Sequence, residues 1–84
     1  MLRYAEAAVR VNDLEGAISA LERLLLISGD QPRVKVELGT LYYRLGSYEA
    51  ARAYFESART SARATAEVKQ RSDEYLIAIN SRTG

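Results

Sequence analysis

The fold of this 84-residue chain is decided by residues 38–58, which read LGTLYYRLGSYEAARAYFESA. Apolar side chains recur in this stretch at spacings of three and four residues, the period of a helix that buries one face. The pattern is interrupted at Gly46, a residue type that suits the left-handed backbone of a helix end, and Ser47 follows as a candidate N-cap. The stretch therefore predicts two helices joined by a tight turn.

The same pattern continues outward and predicts five helices. The first three cover about residues 2–11, 14–28 and 32–45; the fourth runs from 47 to about 60 or 62, and the fifth begins between 63 and 67 and ends at about 80. Asn12 with Asp13, and Gly29 with Asp30, have the residue types of helix ends followed by N-caps. Pro32 fits the first turn of a helix, where a backbone N–H is not needed. Because the connections are short, consecutive helices are expected to pack as antiparallel hairpins.

Two of the predicted hairpins share one pattern. A shift of 34 residues places Ala5 on Gly39 and Leu21 on Phe55, and the predicted helix ends then coincide. A helix–turn–helix unit of this length resembles the tetratricopeptide repeat, TPR. Residues 38–58 contain the family signature Leu38-Gly39-x-x-Tyr42, Gly46-x-Tyr48, Ala51-x-x-x-Phe55 and Ala58. Lys35 and Arg63 depart from it, standing where the family often has Trp and Pro.

The resemblance implies an all-α, right-handed superhelical solenoid of antiparallel hairpins. Repeat 1 is expected at residues 1–31, truncated at its start, repeat 2 at 32–62 and a capping helix at 63–80, within one domain over 1–80. Residues 81–84 are expected to form a disordered tail. The run from Leu21 to Phe55 also resembles the TPR segments that precede outer-membrane β-barrels in some proteobacterial surface-protein assembly factors.

Small residues in this pattern are expected to let neighbouring helices approach to about 8–10 Å. These residues are Ala5, Ala17, Gly39, Ala51 and Ala58. Large residues are expected to form one layer between the helices. These are Leu14, Leu21, Leu38, Tyr42, Leu45, Tyr48 and Phe55.

The family resemblance implies non-catalytic protein binding, with a peptide or protein segment held in a concave groove. The groove positions carry over to Glu6, Val9, Arg10, Arg33, Val36, Thr40, Tyr43, Arg44, Lys69, Asp73 and Ile77. Tyr43 and Tyr42 diverge on a helix, so Tyr43 is either an exposed anchor for a partner or a core residue against the last helix. Some family members bind the C-terminal carboxylate of chaperones through a clamp of groove residues. The corresponding positions here hold Leu2, Glu6, Glu37, Ala66 and Gln70, so chaperone binding is not expected.

The composition argues against several other functions. The chain has no Cys and no His, which removes most zinc, redox and triad chemistry, and neither a metal nor a cofactor is expected. Its best carboxylate cluster, Glu67, Asp73 and Glu74, lies on a capping helix without an enclosing cleft, so an enzyme is not expected. The net charge of +1 and the alternating charges of the outer helices give no nucleic-acid surface.

The alternative function is a structural role, in self-association or in packing onto another domain of a longer protein. No apolar run is long enough to insert into a membrane. Residues 2–11 would leave an incompletely covered edge, because a repeat stack needs about three units. The chain is therefore expected to be a piece of a longer protein, or else a homodimer through this N-terminal edge. The absence of Cys fits the cytoplasm and the periplasm equally.

Overall fold

The computed structural model describes the backbone of residues 2–83 and the side chains of residues 13–82. Residues 2–83 form four α-helices and no strand. The helices are α1 (Leu2–Ser28), α2 (Pro32–Leu45), α3 (Tyr48–Arg59) and α4 (Ala66–Thr83). The predicted all-α fold is confirmed, and α2 with α3 forms the hairpin expected from residues 38–58.

Two glycines end helices where the sequence predicts it. Gly29 and Gly46 have φ angles of 82° and 84°, in the left-handed region that costs glycine least. At the α2–α3 turn the amide of Gly46 donates to the carbonyl oxygen of Tyr43 at 3.0 Å, and Ser47 donates to Tyr42 at 2.9 Å. These bonds satisfy carbonyl groups that the end of a helix leaves without an intrahelical partner.

The helix break predicted at Asn12 and Asp13 is wrong, because α1 is one helix of 27 residues that runs through both. The assignment of residues 1–31 to a first repeat stays a prediction. Asn and Asp are weaker helix formers than Ala, but each costs at most about 0.7 kcal/mol in a helix interior. Residues 2–15 contain neither Gly nor Pro, so no residue in this segment forces a turn. The stack therefore consists of α1, one complete hairpin and α4.

The core is centred on Phe55, which is completely buried. Its ring stacks on Tyr75 with centroids 4.7 Å apart and an interplanar angle of 7°. A Cβ atom built on Gly39 would lie 2.8–3.0 Å from three atoms of the same ring, so α2 and α3 meet where Gly39 has no side chain. Ala51 and Ala58 are also completely buried. The predicted small-residue positions on these two helices are confirmed.

The predicted large-residue layer is present in part. Leu38 is completely buried, whereas Leu14, Leu21, Tyr42 and Tyr48 are half-buried. Leu45 is 36% exposed, so its placement in the layer is wrong. It is the last residue of α2, next to the turn at Gly46. Ala17 is half-buried, and Ala5 lies outside the described side chains.

Glu22 joins α1 to the hairpin. The hydroxyl groups of Tyr42 and Tyr54 both donate to its Oε2, at 2.7 and 3.1 Å. The two rings stack with centroids 5.7 Å apart. The hydrogen bond to Glu22, together with burial, raises the pKa of Tyr42 to about 12. One carboxylate thus orients an aromatic pair contributed by both helices of the hairpin.

Asp30 ties the α1–α2 loop to the α3–α4 loop. It does not cap α2, whose N-cap is Gln31; its carboxylate instead accepts bonds from Ser61 Oγ at 2.6 Å and Lys35 Nζ at 2.9 Å. The bonds from Ser61 and Lys35 hold the pKa of Asp30 below its ordinary value. Arg63 Nη1 also donates to the backbone carbonyl oxygen of Asp30 at 3.3 Å.

The C-terminal helix ends later than predicted. α4 begins at Ala66 and continues to Thr83, so residues 81–83 do not form the expected disordered tail. Arg82 fastens the last turn of α4, because its Nε donates to the Tyr43 hydroxyl at 2.9 Å. This hydrogen bond raises the pKa of Arg82.

Candidate functional site: the α2–α4 cleft

α2 and α4 border two adjoining cavities, which together are named here the α2–α4 cleft. The smaller, about 60 Å³, is lined by Arg33, Val36, Glu37, Glu67, Val68 and Arg71. The larger, about 280 Å³, is lined by Tyr43, Arg71, Glu74, Tyr75 and Ala78. Residues from the starts of both helices share one cavity and residues farther along share the other, so α2 and α4 run in the same direction.

The cleft has an apolar floor and a charged border. Val36 and Val68, which are 5% and 6% exposed, are the apolar lining residues of the smaller cavity and are named here its floor. Its border carries three carboxylates and two guanidinium groups, from Glu37, Glu67, Glu74, Arg33 and Arg71. The ion pairs found among side chains 13–82 are Lys35 with Asp30 and Arg59 with Asp73, and neither contains a border residue. The charges of the cleft are therefore not neutralised by direct pairing within the described part of the chain.

Tyr43 combines the two roles that the sequence allowed. It is half-buried and packs edge-to-face against Tyr48 and Tyr75, with centroids 5.3 and 5.2 Å away. It also lines the larger cavity and carries the guanidinium of Arg82, whose Cζ lies 5.7 Å from the Tyr43 centroid. Tyr43 is thus part of the packing against α4 and part of the cleft wall.

The predicted groove residues of α2 divide into two groups. Arg33, Val36 and Tyr43 line the cleft. Thr40 is half-buried, and its hydroxyl donates to the carbonyl oxygen of Val36 at 2.9 Å, within its own helix. Arg44 is exposed and lines neither cavity.

The predicted groove residues of α4 do not meet those of α2. Asp73 is paired with Arg59 on α3. Ile77 is 69% exposed, and Lys69 is also exposed outside the cleft lining. The remaining predicted groove residues, Glu6, Val9 and Arg10, lie outside the described side chains.

The sequence interpretation missed the α4 wall of the cleft. Glu67, Arg71, Glu74 and Ala78 follow one another at steps of four, three and four residues, which places them on one flank of a helix. This spacing was visible in the sequence. It indicates a common face, but it does not indicate that α2 lies opposite that face.

A cavity of about 580 Å³ lies between α3 and α4, on another side of α4. It is lined by Ala53, Glu56, Ser57, Arg59, Thr60 and Leu76. The guanidinium of Arg59 is already paired with Asp73, and none of the lining residues is aromatic. The α2–α4 cleft, with its aromatic wall and unpaired charges, is therefore the better candidate binding site.

Two other kinds of site receive no support from the described residues. No group of three or more His, Cys, Asp or Glu side chains among them is arranged to hold a metal ion. None of the helices in the described part of the chain has the length and apolar character needed to cross a membrane.

Helical hairpins stacked around small-residue contacts, with a cleft between parallel helices, define the class of helical-repeat proteins. The family model described as "Tetratricopeptide repeat" matches residues 8–70, and the chain belongs to this family. Membership places the chain among modules for protein–protein interaction, whose repeats are typically non-catalytic scaffolds.

A relative from Arabidopsis thaliana, "Protein KINESIN LIGHT CHAIN-RELATED 3", is 35% identical over 77 residues. The alignment takes in 83% of this chain and 12% of the relative, so the chain spans only a small part of that protein. No solved structure matches the chain. The likeness to outer-membrane assembly factors gains no support from these comparisons and stays a prediction.

Proposed function

We propose that this chain is a non-catalytic module that binds a peptide or protein segment along the α2–α4 cleft. The observation that supports this proposal is the border of unpaired charges around a floor of buried valines. Charges that are not neutralised within the protein are available to complement a partner, and complementary charges give specificity. The half-buried rings of Tyr43 and Tyr75 supply apolar surface whose removal from water favours binding.

The charge of the border favours a protein partner over a nucleic acid. Three carboxylates against two guanidinium groups leave the cleft with a net charge of −1. A phosphate backbone needs clustered, unpaired basic residues, and this border does not provide them. A polypeptide with both basic and acidic side chains fits the mixed border better.

The proposed contacts begin with the α2 residues Arg33, Val36 and Tyr43, joined on α4 by Glu67, Arg71 and Glu74. The other predicted groove positions lie outside the lining of the cleft or outside the described side chains, and they remain proposals. These are Glu6, Val9, Arg10, Thr40, Arg44, Lys69, Asp73 and Ile77.

The test is selection of short linear peptides displayed on phage, followed by NMR titration of the isotope-labelled protein with the selected peptides. Amide shifts concentrated at Arg33, Val36 and Arg71 are the expected result. Arg33→Ala should weaken binding, whereas Arg23→Ala, a matched change at an exposed position of α1, should leave the affinity unchanged. Amide shifts confined to α1, or to the cavity between α3 and α4, would overturn the proposal.

Self-association is a second candidate function, favoured by apolar side chains at the end of α1. Leu26 and Ile27 are 87% and 78% exposed, and Leu24 is 42% exposed. Exposed apolar groups in one segment are typical of a contact with another protein surface. Sedimentation measurements over a range of concentrations would show a dimer that Leu26→Glu abolishes. A single monomeric species at every concentration would exclude this role.

A further inference from the structure

Arg82 places a cation on the ring of Tyr43, a residue that also lines the larger cavity of the cleft. The guanidinium carbon of this residue lies 5.7 Å from the Tyr43 ring centroid and 5.9 Å from the Tyr48 centroid. Both distances fall within the roughly 6 Å over which a ring attracts a cation. The wall is therefore already able to hold a guanidinium, supplied in this structure by the protein itself.

The neighbouring cavity continues the same wall and adds a carboxylate. Tyr43 and Tyr75 line this space of about 280 Å³ together with Glu74. The Glu74 carboxylate has one hydrogen bond recorded among the described side chains, from the Gln70 amide at a long 3.5 Å. A carboxylate can accept two parallel N–H bonds from one guanidinium, so Glu74 has capacity left for such a partner.

The positive charge of Arg71, which lines both cavities, opposes a second cation in this space. Glu67 and Glu74 lie four residues before and three residues after Arg71 on the same flank of α4, close enough to offset much of its charge. Glu37 adds a further carboxylate at the smaller cavity. With Arg82 counted, three carboxylates stand against three guanidinium groups, and loss of the Arg82 charge would leave one carboxylate in excess.

We infer that the larger cavity of the cleft receives an arginine side chain of the bound partner, held between the Tyr43 ring and the Glu74 carboxylate. Arginine fits better than lysine, because its planar guanidinium both stacks on a ring and makes paired bonds to a carboxylate. Arg82 shares the Tyr43 ring and competes with the incoming side chain. This inference rests on the proposed peptide-binding function and specifies the chemistry of the peptide.

The probe is the blocked tripeptide acetyl-Gly-Arg-Gly-amide, titrated into the labelled protein and followed at the amides of Tyr43, Glu74 and Ala78. The matched control peptide carries citrulline, which keeps the planar shape of arginine but has no charge. The arginine peptide should bind about three times or more tighter than the citrulline peptide, the range of one exposed cation–π contact.

Two variants should change the affinity in opposite directions. Glu74→Gln should weaken binding of the arginine peptide about threefold, and Arg82→Ala should strengthen it about twofold to fivefold, since it frees the Tyr43 ring. Glu15→Gln and Arg23→Ala on exposed positions of α1 are the matched controls and should have no effect. Glu74 and Arg82 are both exposed, so thermal melting should show that their variants remain folded.

Equal binding of the two peptides would overturn the inference, as would unchanged or weaker binding by Arg82→Ala. The proposed function fails separately. If peptides selected on phage shift Arg33 and Val36 but show no preference for arginine, the cleft is the binding site and only the inference about arginine is wrong. If no selected peptide shifts the cleft, the proposed function itself is wrong.

Discussion

Replacement of Gly39 by alanine tests the contact that brings α2 and α3 together. The added Cβ would lie 2.8, 2.9 and 3.0 Å from atoms Cζ, Cε2 and Cε1 of Phe55. Carbon atoms in protein cores are normally about 3.5–4.0 Å apart, so either the ring or the helix must move. The ring has little room to do so, because Phe55 is completely buried and stacks on Tyr75.

Two opposing effects determine how much Gly39→Ala changes the free energy of unfolding. Alanine in a helix interior is more favourable than glycine by about 0.8–1.0 kcal/mol. Overpacking of a core costs about 1–3 kcal/mol. The variant should therefore have a free energy of unfolding about 0–2 kcal/mol lower than the original protein.

Gly16 provides the matched control, because it is exposed within α1 and an added Cβ would meet no atom within 4 Å. Gly16→Ala should raise the free energy of unfolding by about 0.5–1 kcal/mol. The two variants should then differ by about 1–3 kcal/mol, which corresponds to at least about 4 °C in melting temperature for a chain of this size. Thermal and urea denaturation followed by circular dichroism would measure the difference. Equal stabilisation by both changes would refute the close packing of Gly39 on Phe55.

Three further predictions concern side chains of the core and of the α1 contact. Phe55→Ala should lower the free energy of unfolding by about 3–5 kcal/mol, measured by urea denaturation, and a loss below about 1 kcal/mol would contradict its central position. Ser72 is completely buried, and its Oγ has no hydrogen-bond partner in the described residues, so Ser72→Ala should stabilise the protein by about 1 kcal/mol more than Ser19→Ala, at an exposed position of α1. The pKa of Tyr42 is raised from 10.0 to about 12 in the folded state, so its contribution to stability is complete below pH 10 and is lost between pH 10 and 12. Tyr42→Phe should abolish that part of the pH dependence, and an unchanged alkaline stability profile in this variant would contradict the bond to Glu22.

The sequence alone predicts the hairpin of α2 and α3 well, because its signals are strong and local. Gly46 has a φ angle of 84°, a conformation that disfavours almost every other residue type. Gly39 and Phe55 form a small-to-large pair whose spacing follows from the repeat length. Each of these features can be recognised from residue type and position without knowledge of the partner helix.

The predicted turn at Asn12 and Asp13 failed because its signal was weak. Residues that are tolerated at a helix end are also tolerated inside a helix, at a cost below about 1 kcal/mol each. The 34-residue shift aligns Asn12 with Gly46 and so predicts that a helix ends at Asn12. Asn lacks the conformational freedom that allows Gly46 to end a helix. A repeat pattern of residue sizes therefore does not guarantee the repeated turn.

The candidate site shows a different limit of reasoning from repeats. When groove residues are assigned by their position in the repeat, equivalent residues of α2 and α4, such as Val36 and Lys69, are placed in one groove. When parallel helices lie side by side, however, the cleft between them is lined by one flank of the first helix and the opposite flank of the second. Val36 therefore lies in the cleft while Lys69 lies outside it, and the α4 wall is formed by Arg71 and Glu74 instead. The residues that line one cleft of a repeat protein need not occupy the same position in each repeat. A binding site of this kind must therefore be predicted from the two helix flanks that face each other.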